Sequence, residues 1–239
     1  QITKFKVCDE VFGEKLFSNG CNEDYLCIAE DLVLDIKHNT ISHAEAAPIC
    51  DGFLTSYNFL QDIADLKPGQ HILINGASGS LGSAAVQLAK VMGAKVTAVC
   101  SARNIDFVKS IGADKVIDYT KISITNINEK YNVIYDSVGT LSYKNSKTLI
   151  SSNGIFMTPV LSGQILCQTL LNPKKVKFAA TGIKKTEELK RLFLELVDFF
   201  KQGKLYTNID KSYKLPDIAE AYHYLETGRK VGNIVIINQ

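Results

Sequence analysis

The rhythm of apolar and polar positions changes twice along the chain. In the first part, short apolar runs sit among polar residues at 5–13, 25–28 and 32–36, and each predicts a short strand. Ser42 followed by Glu45 has the spacing of a capping box, which predicts a helix starting near Ala44. Residues 53–63 read as a further helix. From His71 the pattern becomes regular, with strand-length apolar runs at 71–75, 95–100, 115–118, 133–136, 155–157 and 176–180. Between and after them, helical spacing recurs at 80–92, 105–111, 141–150 and 187–202. The last of these is the strongest, and its Leu and Phe residues read as core packing. After Gly203 the rhythm breaks again: extended chain over 205–213, a helix over 217–226 behind Pro216, and a closing strand over 232–237.

Alternating strands and helices predict an α/β fold with a doubly wound parallel sheet, its ligand at the carboxyl ends of the strands. The β-rich beginning and the short tail bracket that centre and predict one lobe together. The expected division is therefore 1–54 with 206–239, against 55–205.

One stretch organises the rest. The strand at 71–75 runs into Gly76-Ala77-Ser78-Gly79-Ser80-Leu81-Gly82 and then into an amphipathic helix with Leu81, Ala85, Leu88, Ala89 and Met92 on one face. A strand, a glycine-rich turn and a helix in that order suit a phosphate, which the turn backbone and the N–H groups of the helix start can approach. Alanine replaces the first glycine of G-x-G-x-x-G, so a turn that binds nothing is an equal reading of the pattern alone. The strand at 95–100 completes a βαβ unit and favours the phosphate reading.

Composition narrows the partners. With 27 basic and 25 acidic residues the formal net charge is +2, too small to imply a nucleic-acid partner or an acidic surface. Hydrophobic residues make up 46% and mean hydropathy is near zero, as in a globular protein with a sizeable core. No apolar run has the length of a membrane span and no secretory signal opens the chain, so a cytoplasmic protein is expected. The six cysteines, at 8, 21, 27, 50, 100 and 167, form no C-x-x-C pair and read as free thiols. The four histidines are scattered, and no spacing points to a metal or to a catalytic Ser/His/Asp set. No catalytic acid or base is named by spacing.

Several motifs in order carry a family resemblance. They are Phe5-Lys6-Val7-Cys8-Asp9-Glu10-Val11-Phe12-Gly13, Glu45-Ala46-Ala47-Pro48, Leu54-Thr55-Ser56-Tyr57, the glycine turn, Gly112-Ala113-Asp114-Lys115-Val116-Ile117-Asp118-Tyr119 and Gly232-Asn233-Ile234-Val235-Ile236. Together they resemble the medium-chain dehydrogenase/reductase superfamily in its zinc-free quinone oxidoreductase branch. The run from Cys100 to Asp114 is especially similar to plant chloroplast-envelope quinone oxidoreductase homologues. The resemblance implies a Rossmann domain and a GroES-like β-rich domain, here N-terminally incomplete, to which the C-terminus returns.

It also implies an NADPH-dependent oxidoreductase that passes hydride to a quinone or an α,β-unsaturated carbonyl. Ala77, Ser78, Gly79, Ser80, Leu81 and Gly82 match the pyrophosphate turn. Ser101 and Arg103 match the pocket beside the adenine ribose, and Tyr119 an aromatic residue near it. Ser137 and Val138, with Thr158 and Val160, match loops that pass the nicotinamide, and Thr55 follows the domain crossover. No Asp or Glu lies between Val96 and Ile105, where NAD enzymes place a ribose-binding carboxylate, so NADP is the expected cofactor. Asp51 stands where zinc-dependent relatives have a cysteine, and Cys50 is adjacent; no metal is expected. A small-molecule substrate is expected, and a homodimer is left open. Two alternatives remain: a zinc-dependent alcohol dehydrogenase of the same superfamily, and a nucleotide-binding partner protein without turnover.

Overall fold

Apolar runs bounded by Gly, Pro and polar turns become the strands of the structure, a computed structural model that describes residues 2–15, 21–180 and 184–238. The chain divides into two units, Gln1–Thr55 with Thr181–Gln239, and Ser56–Ala180.

In the first unit β1 (Val11–Glu14) and β2 (Val33–Ile36) form an antiparallel pair with Phe12 opposite Asp35. Residues 25–28, expected as a strand, are irregular, with Tyr25 and Leu26 exposed. An apolar run becomes a strand only when a neighbour takes up its backbone groups, and this run has none among the described residues.

The capping box forms as expected. Ser42 Oγ accepts from the Glu45 N–H and Glu45 Oε2 accepts from the Ser42 N–H at 2.8 Å, opening α1 (His43–Pro48). Pro48 has no N–H to give the turn behind it, and the chain continues as a π-helical segment, Ile49–Phe53. α2 (Leu54–Tyr57) follows, and then a second π-helical segment, Asn58–Ile63, belonging to the second unit.

The second unit alternates β3 (His71–Asn75), α3 (Ser80–Val91), β4 (Lys95–Cys100), α4 (Ile105–Ser110), β5 (Lys115–Asp118), β6 (Tyr131–Asp136), α5 (Tyr143–Ser146), β7 (Ile150–Thr158), α6 (Gly163–Leu171) and β8 (Val176–Phe178). The strands form one parallel sheet in the order β5-β4-β3-β6-β7-β8. The chain winds outward from β3 in one direction and from β6 in the other, so the crevice between their carboxyl ends is the switch point where such sheets take ligands.

Strand alternation divides the core. Leu73, Val99, Ile117, Ile134, Phe156 and Val176 pack on one face with Tyr143, Leu149 and Ile165. Tyr135 faces the other way and stacks on Phe59, ring centroids 5.3 Å apart. Helix α6 was not expected. Of its residues only Ile165 is buried, while Leu166, Leu170 and Leu171 are exposed, so its apolar positions make no inward stripe. The Ser162 hydroxyl that accepts from the Ile165 N–H was the legible signal.

The first unit resumes with α7 (Thr186–Lys201), β9 (Ile209–Lys214), α8 (Ile218–Glu226) and β10 (Asn233–Ile237), the two strands pairing in parallel. Helix α7 buries Leu189, Leu192, Phe193, Leu196, Val197 and Phe200, the spacing of one helical face. Phe193 meets Phe12 with centroids 5.0 Å apart, and Phe200 meets Phe53 edge-on at 4.9 Å, so this helix packs with the first unit. Among the described residues no helix is long and apolar enough to cross a membrane.

Candidate functional site

The turn after β3 is shaped by three glycines with different duties. Gly76 has φ +75, and a Cβ there would lie 2.0 Å from Val138 Cγ2, so only glycine passes under that loop. The N–H groups of Gly76 and Ala77 both donate to Val99 O, at 3.1 and 3.0 Å, and tie the turn to β4. Gly82 lies against the turn it leaves: a Cβ would come within 2.1 Å of Gly76 O and 2.7 Å of the Ala77 Cα. Gly79, the N-cap of α3, is different. Its φ of −80 suits any residue, and a Cβ there would meet only Gly76 O at 3.5 Å. Neither strain nor crowding within the chain asks for glycine at 79.

Helix α3 therefore starts without a side-chain cap and without an acidic residue in its first turn. The first turn of this twelve-residue helix carries the partial positive charge of the helix dipole, which suits an anion. Ala77 is fully buried beneath, and Ser78, Ser80 and Leu81 are half-buried around the rim.

The loops after β4 and β5 form the next wall. Ser101 is half-buried and Arg103 exposed, on a short 3-10 turn, Ala102–Asn104. Asn104, which spacing did not single out, is buried and donates from Nδ2 to Ser78 Oγ at 2.8 Å, joining this loop to the glycine turn. Tyr119 is 58% exposed and its N–H donates to Cys100 O at 3.1 Å. Beside it Asp118 is buried, and its Oδ1 accepts from the Thr120 N–H at 3.0 Å and hydroxyl at 2.7 Å. The Thr120 hydroxyl, above all, holds this carboxyl below its usual range. Burial, with the Asp118 charge second, pushes the Cys100 thiol up to about 11. A cavity of about 430 Å³ opens here, with Asn75, Tyr119, Thr120, Lys121, Thr140 and Ser142 in its wall.

On the other side of the switch point, Asp136 organises the loop after β6. It is fully buried, and its Oδ1 accepts from Asn75 Nδ2 at 2.8 Å and from the N–H groups of Val138 and Gly139. Its Oδ2 accepts from the Leu141 N–H at 2.7 Å. Ser137 donates its hydroxyl to Asn75 O at 2.7 Å, and Val138 projects half-exposed. After β7, Thr158 is fully buried, and its hydroxyl accepts from the Val160 N–H at 3.1 Å. Thr158 thus shapes its own turn, and Val160 is the residue that turn exposes. Val160 also faces Gly139, where a Cβ would come within 2.6 Å of it.

The structure thus gathers the expected residues of the second unit along the carboxyl ends of β3, β4, β5, β6 and β7. Thr55 ends the first unit's opening segment and is half-buried. Sequence reading did not single out Asn75, Asn104 or Asp118, polar residues at strand or helix ends; it placed Asp136 in the loop 136–139 through the resemblance, without its hydrogen-bond partners.

The first unit holds Cys50 and Asp51. The Cys50 thiol is buried, points at Ala46 O, and is pushed far up by burial, so it is a poor metal ligand. Asp51 lines a cavity of about 560 Å³ with His43, Pro48, Asn233 and Val235. Nearby Glu14 has its Oε2 enclosed without a partner, and burial, helped by the Asp51 charge, raises its pKa to about 7. Among the described residues no three His, Cys, Asp or Glu side chains converge as a metal would need, so this donor set does not fit zinc.

Comparison with known proteins agrees with the fold. A family model described as zinc-binding dehydrogenase matches residues 111–236, more than half of the chain. The chain is 34% identical over 247 residues to 2-methylene-furan-3-one reductase of Solanum lycopersicum, using 99% of this chain and 59% of that protein. It is 31% identical over 228 residues to the chloroplastic NADPH-dependent alkenal/one oxidoreductase of Arabidopsis thaliana, using 94% of this chain and 54% of that protein. The chain thus spans little more than half the length of these two relatives. Among solved structures, a quinone oxidoreductase of Pseudomonas syringae pv. Tomato superposes with a TM-score of 0.86 at 27% identity, covering 98% of this chain and 76% of that one. With a sheet wound about one switch point, a glycine turn set there and a family match over more than half its length, the chain belongs to the zinc-binding dehydrogenase family, in the quinone oxidoreductase branch of the medium-chain dehydrogenase/reductase superfamily.

Proposed function

We propose that this protein is an NADPH-dependent reductase that transfers hydride, without zinc, to a quinone or to the β-carbon of an α,β-unsaturated carbonyl. The observation that carries the reading is Gly79: an uncapped helix start with a glycine that the fold itself does not require. Such a position makes sense when a ligand, here a pyrophosphate, lies close to the backbone. The names of the two reductase relatives and of the matching structure point to the same chemistry.

Bound NADPH would supply the hydride. The chain's part is to hold it: the first turn of α3 takes the pyrophosphate, Ser101 and Arg103 take the adenosine end with its 2′-phosphate, and the Asp136 loop holds Ser137 and Val138 toward the nicotinamide end. Arg103 suits a phosphate through charge-assisted hydrogen bonds. A conjugated acceptor spreads the developing charge onto a distant oxygen, so positioning can supply much of the catalysis. A saturated ketone instead needs an electrophile at its own oxygen. The purified protein, assayed with NADPH against a quinone, a medium-chain enone and a saturated ketone of equal size, should reduce the first two and leave the third. Preference for the saturated ketone, or efficient oxidation of a primary alcohol, would overturn the reading. Binding of NADPH with no turnover of any of the three would favour a non-catalytic nucleotide-binding protein.

A further inference from the structure

The stretch from Val96 to Ile105 contains no carboxylate, yet the fold delivers one there from the next strand. Asp118 ends β5 directly opposite Cys100, the last residue of β4. Only 7% of its surface is exposed. Two donors from Thr120 hold Oδ1, and the Ala102 N–H, between Ser101 and Arg103 in sequence, also faces the carboxylate. Oδ2 is enclosed and makes no full hydrogen bond. A carboxylate fixed in the wall of a site acts on nearby charges more strongly than one dispersed in water. Lys121 offsets part of this charge.

Taking the dinucleotide reading above as its basis, we propose that Asp118 sets the cofactor preference of this site: its carboxylate, fixed beneath Ala102, opposes the charge of a 2′-phosphate held by Ser101 and Arg103. Discrimination for NADPH over NADH is thereby lower than those two residues would give alone. Asp118 does not reach the nucleotide, because its oxygens are enclosed or already engaged. It acts through the field it adds and is a positioning residue of the selectivity pocket. NADH, without the phosphate, lacks the charge on which the field works.

The test is Asp118→Asn, which keeps the shape and an Oδ1 acceptor for Thr120, removes the charge and puts an NH2 in place of the enclosed Oδ2. Affinities of the purified protein for NADPH and NADH are measured by calorimetric titration, and melting is followed in parallel. The NADPH-to-NADH affinity ratio should rise about 3- to 10-fold at low ionic strength, the worth of one screened like charge at short range. The gain should shrink as salt rises toward about 0.5 M, a response that a merely structural role would not produce. An unchanged or reduced ratio in a variant that melts close to the wild type would overturn the proposal. If the Asn variant does not fold, Asp118→Ser, which keeps an oxygen acceptor, is read in its place by the same criterion. A wild-type protein that binds neither dinucleotide would overturn the nucleotide site itself, and this inference with it.

Discussion

Two glycines three residues apart allow the fold and the ligand to be tested separately. At Gly82 a methyl would sit 2.1 Å from Gly76 O and 2.7 Å from the Ala77 Cα, where ordinary contacts begin near 3.4 Å. Both obstacles are backbone, so no side chain can swing aside, and α3 or the turn must move by about 1 Å. Overpacking of that kind costs about 1–3 kcal/mol, a drop of roughly 2–10 °C in melting for a chain of this size. At Gly79 a methyl has room and an ordinary backbone conformation, so Gly79→Ala should keep stability within about 1 kcal/mol of the wild type. If a pyrophosphate lies against that backbone, however, the same methyl displaces it. Loss of hydrogen bonds to a charged group, about 1.5–3 kcal/mol, predicts NADPH binding weaker by about 10- to 150-fold. Thermal melting and NADPH titration of the two variants are the assays. Gly79→Ala binding NADPH like the wild type would refute the assignment of the turn to a pyrophosphate. Gly82→Ala melting like the wild type would refute the account of the glycine spacing.

Arg103→Ala should weaken NADPH by about 1.5–3 kcal/mol and leave NADH nearly unchanged; equal losses for both in direct titrations would remove Arg103 from the phosphate pocket. Glu14 titrates near 7 in the folded protein against an ordinary 4.5, so the native state binds the extra proton between those values and stability falls as pH rises through that window. Glu14→Gln should therefore match the wild type near pH 4 and exceed it at pH 8 by about 1 kcal/mol, after discounting for partial exposure; denaturant melts at the two pH values check this. Chelation should leave reductase activity unchanged, and zinc at one equivalent lost together with activity would contradict the donor-set argument.

Much of this protein is legible in its sequence because it depends on neighbours in the chain. The strands 71–75, 95–100 and 115–118 were read with the bounds they have, since strands buried on both faces of a parallel sheet appear as continuous apolar runs. The capping box at Ser42 and the uncapped glycine start of α3 are likewise local, each settled within one helical turn. Family motifs carried the fold in the same way.

What sequence could not supply is the partner of each polar group, because that depends on strand order. Asp136 sits by resemblance in a loop near the nicotinamide, but its partner is fixed only when the sheet sets β6 beside β3 and places it against Asn75, 61 positions away. Asp118 lies outside the 96–105 stretch where a ribose-binding carboxylate would stand, yet parallel pairing of β5 with β4 sets it opposite Cys100, two residues before Ala102. The run at 25–28 had the composition of a strand and lacked a partner, whereas α6 had a cap and lacked a buried stripe. Local pattern determines which residues form strands, turns and helix starts. Only the tertiary structure decides which charges meet, because backbone pairing, and not distance along the chain, sets who stands next to whom.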